Sequence, residues 1–243
     1  MIFCNINFKL LNANDLFNRV NHLPKVIIPV NAQLIVLGNT DKRFLNFLND
    51  NYCCFDGQIP LNYAKKQKNI GNIDKLSGSD IVYDFCQWAK KNNQKVFFLG
   101  GKKLSNIKAV EKIKNDYSIE IEGYSPPYET YPFSEMFTVD CYNKISSFKP
   151  DVLFVGFGAP KQEFYVEENL KKFQAIGIKY IVCCGGTFEF VSGEIARAPK
   201  WISKIGLESI YRLFREFNIM RIKRILISFK FKKYLTKGPD FIL

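Results

Sequence analysis

The sequence predicts an α/β fold: a parallel sheet with crossover helices on both faces, followed by a basic, amphipathic helical appendage. Three observations carry this. Short apolar runs rich in β-branched and aromatic residues alternate with longer amphipathic segments, the pattern of strand–helix–strand units. Three of those runs end in glycine-rich turns, Leu99-Gly100-Gly101, Val155-Gly156-Phe157-Gly158 and Cys184-Gly185-Gly186. The charge is also uneven: residues 197–243 hold +9 of the formal +12, with twelve Lys and Arg against three acidic residues.

In chain order, the first strand is expected at 26–30 and is followed by a helix around 43–49. The apolar run Tyr52-Cys53-Cys54-Phe55 then ends on the turn Asp56-Gly57. A helix over 79–92 leads to a strand at 95–99, and a helix over 105–115 to a strand at 119–123. A helix over 133–148 precedes the strand at 152–156, and one over 161–173 precedes the last strand at 180–183. The expected core is 1–196 and the appendage 197–243, with the boundary at Arg197-Ala198-Pro199.

The appendage reads as two helices, 199–217 and 219–235. The second puts Ile222, Ile225, Leu226 and Phe229 on one side, with Arg221, Lys223, Arg224, Lys230, Lys232 and Lys233 elsewhere. This is the character of an interfacial helix whose cations meet anionic lipid, with Phe229 and Phe231 as further anchors. The competing reading is a core-packing helix with a solvated basic face.

Composition narrows the classes. An apolar fraction of 47% and an aromatic fraction of 15% exclude a disordered chain. Seven cysteines without a C-x-x-C, and His22 as the one histidine, give no zinc-ligand spacing. They read as buried thiols of a reducing cytosol. The N-terminus lacks the basic and apolar regions of a secretory leader, and no run approaches the ~18–20 apolar residues that cross a bilayer. A basic appendage on a near-neutral domain points to a polyanionic partner: a membrane surface, a nucleic acid or a phosphorylated substrate.

Without a second histidine, general-base chemistry falls to carboxylates. Asp56 is the first candidate, because an apolar strand end can raise a carboxyl group toward the working range. More specific is 149–163, where a strand runs into Gly156-Phe157-Gly158-Ala159 and then Pro160, Lys161, Gln162 and Glu163 open a helix. Open backbone amides at a helix start suit a diphosphate, and Gln162 could bond a sugar or base. It is not a dinucleotide fingerprint, since Pro160 and Lys161 stand where a third glycine is needed.

This segment resembles the WecG/TagA/CpsF glycosyltransferase family, together with Gly185-Gly186-Thr187-Phe188-Glu189-Phe190-Val191-Ser192-Gly193, Arg197-Ala198-Pro199-Lys200-Trp201 and 206–213. Val30-Asn31-Ala32-Gln33, Asp56-Gly57 and Gly78-Ser79-Asp80 follow the family's order upstream. The resemblance covers about residues 1–225. It implies a Rossmann-like sheet and transfer of N-acetylmannosamine or a related hexose from a UDP-sugar to a polyprenyl-diphosphate-linked saccharide. It further implies no obligatory metal and hence no cofactor, inversion by direct displacement, and a basic appendage that closes the site at the inner face of the cell membrane.

Position by position, the resemblance implies Asp56 as general base and Gln162, Arg212, Arg221 and Arg224 as catalytic partners, the arginines holding diphosphate. Asn31, Gly57, Gly78, Ser79 and Asp80 are then expected to line the substrate pocket. Gly100, Gly101, Gly156, Gly158, Pro160, Lys161, Glu163, Gly185 and Gly186 follow at the strand ends. Glu189, Arg197 and Arg215 complete the set.

Three departures stand out. Pro29-Val30 replaces a threonine before the asparagine, the Arg212–Arg221 spacing is about two residues long, and Glu189 replaces an aspartate that meets the ribose. The same family with a glucosyl or glucuronosyl donor is one alternative. A nucleotide- or nucleic-acid-binding protein with a basic arm is another. The placement of the aromatics in amphipathic helices favours membrane over nucleic acid. Self-association into a homo-oligomer stays open.

Overall fold

The computed structural model describes residues 1–18, 24–66, 72–196, 199, 202, 211, 213 and 219–235, without the side chains of 219–221. Six strands form one sheet in the order β4-β3-β8-β7-β5-β6, where β3 is Lys25–Val30, β4 Tyr52–Phe55, β5 Val96–Gly100, β6 Ile121–Tyr124, β7 Val152–Gly156 and β8 Tyr180–Cys183. The pairs β3–β8, β8–β7, β7–β5 and β5–β6 are parallel. The expected α/β, Rossmann-like architecture is thus present. Every residue of β3, β5 and β8 is buried. Strands covered on both faces need no alternation, which is why they read as continuous apolar runs. Strand β6, at the edge, exposes Glu122 and Gly123.

The helices between the strands match the expected positions within a few residues. Helix α1 (Ala32–Gly38) is followed by α2 (Lys42–Asp50), capped by the Asp41 side chain accepting from Phe44 N at 3.0 Å. Helix α3 is Gln58–Ala64 and α4 Gly78–Asn92, whose Ile81, Val82, Phe85, Cys86 and Ala89 form one buried stripe. Helices α5 (Lys103–Tyr117) and α6 (Glu135–Phe148) both stop at a left-handed residue, Ser118 and Lys149. Helix α7 spans Lys161–Ala175, and the short α8 Phe188–Val191.

The chain divides into two compact units. The first comprises Met1–Asn18, Ile28–Ser77 and Arg197–Leu243. It contains the antiparallel pair β1 (Ile2–Phe3) and β2 (Ile6–Asn7), and its core stacks Phe8 on Phe55 with ring centroids 3.9 Å apart. Its last described α-helix, α9 (Ile219–Phe229), packs on α1, and the 3₁₀ segment Lys230–Tyr234 continues it. Phe231 is 3% exposed and meets the Tyr63 ring edge-on at 5.7 Å. Expected as a lipid anchor, Phe231 is instead a packing residue, because in the 3₁₀ segment its ring is buried against Tyr63. Leu226 and Phe229 remain 59% and 60% exposed. Among the described residues no helix is long and apolar enough to cross a membrane.

The second unit comprises Arg19–Ile27 and Gly78–Ala196. Its core is aromatic: Phe85 lies edge-on to Phe154 and Tyr180, and Phe98 stacks on Phe188 at 4.7 Å. All seven cysteines are buried and none forms a disulfide, and burial pushes the Cys54 and Cys184 thiols far up. They behave as small apolar side chains.

Candidate active site

In the first unit, two neighbouring strand ends bring Asn31, Asp56 and Gly57 together. Asp56 N donates to Val30 O at 3.0 Å. A Cβ on Gly57 would stand 3.8 Å from Asn31 Cα and 3.3 Å from Pro60 Cδ. Asn31 caps α1: its Oδ1 accepts from Gln33 N at 3.0 Å and Leu34 N at 3.2 Å. That leaves the Nδ2 group, which has no partner among the described residues, as the part of Asn31 that can serve a ligand. Asp56 is half-buried, and its negative charge adds to burial in raising the Cys54 thiol.

In the second unit, the carboxyl ends of β5, β6 and β7 open on a cavity of about 820 Å³. Its wall includes Gly100, Gly101, Gly156 and Lys161 from the expected set, and Glu189 from α8. Lys102 and Lys103 at the start of α5 add two cations, and the loop between β6 and α6 adds Ser125, Tyr128, Glu129 and Phe133. Ser125 Oγ donates to Gly101 O at 2.6 Å, tying that loop to the end of β5. Lys161 Nζ donates to Glu129 O at 3.5 Å and lies 4.8 Å from the Tyr128 ring centroid. Cations around a helix N-terminus suit an anionic ligand. Glu189 lines the same cavity, and its Oε2 is buried without a hydrogen-bond partner among the described residues. It is an acceptor waiting for an N–H or O–H donor.

The glycines at these strand ends answer first to aromatic rings. A Cβ on Gly156 would stand 2.8 Å from Phe188 Cε2 and 2.9 Å from Gly185 O, and one on Gly100, at φ +94, 2.8 Å from Phe157 Cδ1. Gly78 starts α4 against the β8 turn, where a Cβ would meet Thr187 Oγ1 at 3.2 Å. Ser79 and Asp80 occupy the first turn of that helix, and the Asp80 charge helps raise Asp84 behind desolvation.

Three backbone amides expected to cradle phosphate are satisfied by the protein itself. Gly101 N donates to Gly156 O at 3.1 Å. Gly158 N and Gly185 N both donate to Gln162 Oε1, at 3.0 and 3.1 Å. Gln162 is 3% exposed and Glu163 0%. Pro160 caps α7, so Lys161, Gln162 and Glu163 form its first turn, and Gly186 is exposed beside Gly185. Burial pushes the Glu163 carboxyl up to about 7, opposed in part by the Gln162 hydrogen bond.

Arg197, Arg212 and Arg215 lie outside the described residues, as does His22, and Arg221 is described only in its backbone within α9. Arg224 is exposed on that helix. The sequence reading missed the loop 125–134, whose aromatics and Glu129 complete the cavity. Its one visible signal was the proline and tyrosine density of Ser125-Pro126-Pro127-Tyr128-Glu129-Thr130-Tyr131-Pro132.

The profile of the Glycosyl transferase WecG/TagA/CpsF family matches residues 1–237. A protein of Bacillus spizizenii named N-acetylglucosaminyldiphosphoundecaprenol N-acetyl-beta-D-mannosaminyltransferase is 32% identical over 234 residues, which span 92% of this chain and 85% of that protein. A protein of Bacillus subtilis with the same name is 29% identical over 203 residues, spanning 83% and 75%.

Proposed function

The chain belongs to the WecG/TagA/CpsF glycosyl transferase family, and from that premise we propose that it moves N-acetylmannosamine from a UDP-sugar to a polyprenyl-diphosphate-linked saccharide at an anionic membrane surface. The relatives' names supply the sugar and the lipid-linked acceptor. The observation that carries the donor reading is the cavity of the second unit, which Lys102, Lys103, Lys161 and the carboxylate residue Glu189 line together. A nucleoside diphosphate offers both chemistries at once: anionic oxygens for the cations and ribose hydroxyls for the carboxylate. At about 820 Å³ the cavity has room for such a ligand.

In this reading an acceptor hydroxyl oxygen attacks the anomeric carbon of the donor sugar. The bond from that carbon to the diphosphate oxygen breaks, and UDP leaves with the electron pair. Asp56 takes the hydroxyl proton. The charge that develops on the leaving diphosphate calls for cations, the role assigned in this reading to Arg212, Arg221 and Arg224. The exposed Leu226, Phe229, Lys230, Lys232 and Lys233 support a peripheral placement at the inner membrane face, beside the lipid-linked acceptor.

The test is a panel of UDP-sugars offered with a water-soluble diphosphate-linked N-acetylglucosamine acceptor, reading UDP release. UDP-N-acetylmannosamine should give the highest kcat/KM. A faster glucosyl or glucuronosyl donor would replace the sugar assignment, and release from no UDP-sugar would remove the donor class.

A further inference from the structure

The side chain of Gln162 bridges the turns that follow β7 and β8, accepting from Gly158 N and Gly185 N with the same oxygen. A carboxamide can serve two N–H donors only with its carbonyl end toward them. What fixes that end is Glu163. Its Oε1 accepts from Gln162 Nε2 at 2.9 Å, inside the protein. Adjacent residues on a helix do not normally face each other, so this contact depends on the first turn of α7. Glu163 Oε2 is buried without a partner among the described residues, a polar atom whose burial costs stability. An apolar side chain at this place would pack without that cost, but it would leave the Gln162 amide unanchored.

We propose that Glu163 is a positioning residue of the transfer reaction: through the Gln162 amide it locks the Gly158 and Gly185 turns into one frame. That frame carries Lys161 three residues beyond the first turn and Glu189 four residues beyond the second, both in the cavity wall. The role rests on reading that cavity as the donor site; the lock itself does not. Either protonation state of Glu163 keeps an oxygen able to accept from Nε2, so the lock holds across neutral pH.

Two variants of the full chain separate this role from simple packing. Glu163→Gln keeps an acceptor oxygen for the Gln162 amide, and Glu163→Met removes it at similar volume. In ligand-free protein, amide hydrogen exchange at Gly158 and Gly185 should accelerate together, by about tenfold, in Glu163→Met and stay near wild type in Glu163→Gln. The KM for the UDP-sugar should rise about tenfold in Glu163→Met, with kcat within a factor of about three, because the donor's contacts are displaced while the chemistry is retained.

Unchanged exchange at the two glycines would overturn the lock. A fall in kcat with unchanged KM would overturn the positioning role, since that pattern marks loss of folded enzyme. If Glu163→Met fails to fold, Glu163→Asp withdraws the acceptor by one methylene and must show the same two changes in smaller measure. A wild type that binds no nucleotide sugar, with exchange still responding, would remove the role in transfer and leave the lock.

Discussion

Gln162, in the first turn of α7, and Asn31, just beyond β3, each spend the carbonyl oxygen of their side chain on two backbone amides. Asp56 is the residue with the sharpest chemical expectation. Asp56→Asn should cut turnover by ~10²–10⁴-fold while UDP affinity, measured calorimetrically, stays near wild type; retention of more than about a third of the activity would require another base. Glu163 makes a prediction in pH. Its carboxyl titrates at about 7 in the fold against an ordinary value of 4.5, so the folded state binds the proton more tightly. The cost of burying its charge is absent below pH 4.5, grows as pH rises, and is complete above about 7. The span corresponds to about 3 kcal/mol. The neighbouring titratable group, the Cys184 thiol, stays neutral throughout because burial raises it. Glu163→Gln should therefore be more stable than wild type at pH 8 and about equal to it at pH 4.5 by urea unfolding. A lower stability at pH 8 would contradict the assignment.

Among the elements, α9 and the turn after it divide their aromatics between two tasks. Phe231 is buried against Tyr63 and Phe229 is exposed. Phe231→Ala should destabilise the protein by about 3 kcal/mol, as large-to-small changes in a core do, and a double-mutant cycle with Tyr63→Ala should show coupling. Phe229→Ala should change stability by less than about 0.5 kcal/mol yet weaken binding to vesicles containing anionic lipid. Neutralising Lys230, Lys232 and Lys233 should weaken that binding by about 1 kcal/mol per cation, while activity on a water-soluble acceptor persists. Equal loss on soluble and vesicle-borne acceptors would remove the division of labour. The short helices α1, α3 and α8 escaped the sequence reading for a physical reason. Elements of seven, seven and four residues span two turns at most, too few for a 3.6-residue period to emerge.

For the whole molecule the governing quantity is the placement of charge, +9 in residues 197–243 of a chain whose total is +12. Vesicle binding should accordingly fall steeply between low and physiological salt. Residues 197–243 belong to the same compact unit as Met1–Asn18 and Ile28–Ser77. Deleting them should therefore lower the Tm of the remaining chain as well as abolish vesicle binding; an unchanged Tm would mark the appendage as independent of the fold. Within that stretch, Arg212→Ala, Arg221→Ala and Arg224→Ala are expected to include at least one variant that loses turnover more than vesicle affinity. Wild-type turnover in all three would sink the diphosphate role of these arginines.

The sequence by itself determined the parallel sheet, because strands buried on both faces leave continuous apolar runs, and it determined where the positive charge concentrates, because charge is additive along a chain. It also placed Asp56-Gly57 and the 156–163 turn at strand ends, since glycine and proline mark turns locally. Only the tertiary structure decided that Gln162 joins the Gly158 turn beside it to the Gly185 turn 23 residues further along the chain, that Phe231 points inward, and that the loop 125–134 walls the cavity. These depend on which distant segments meet, and a hydrogen-bond donor or an aromatic ring carries no mark in sequence of the partner it will find when the chain closes.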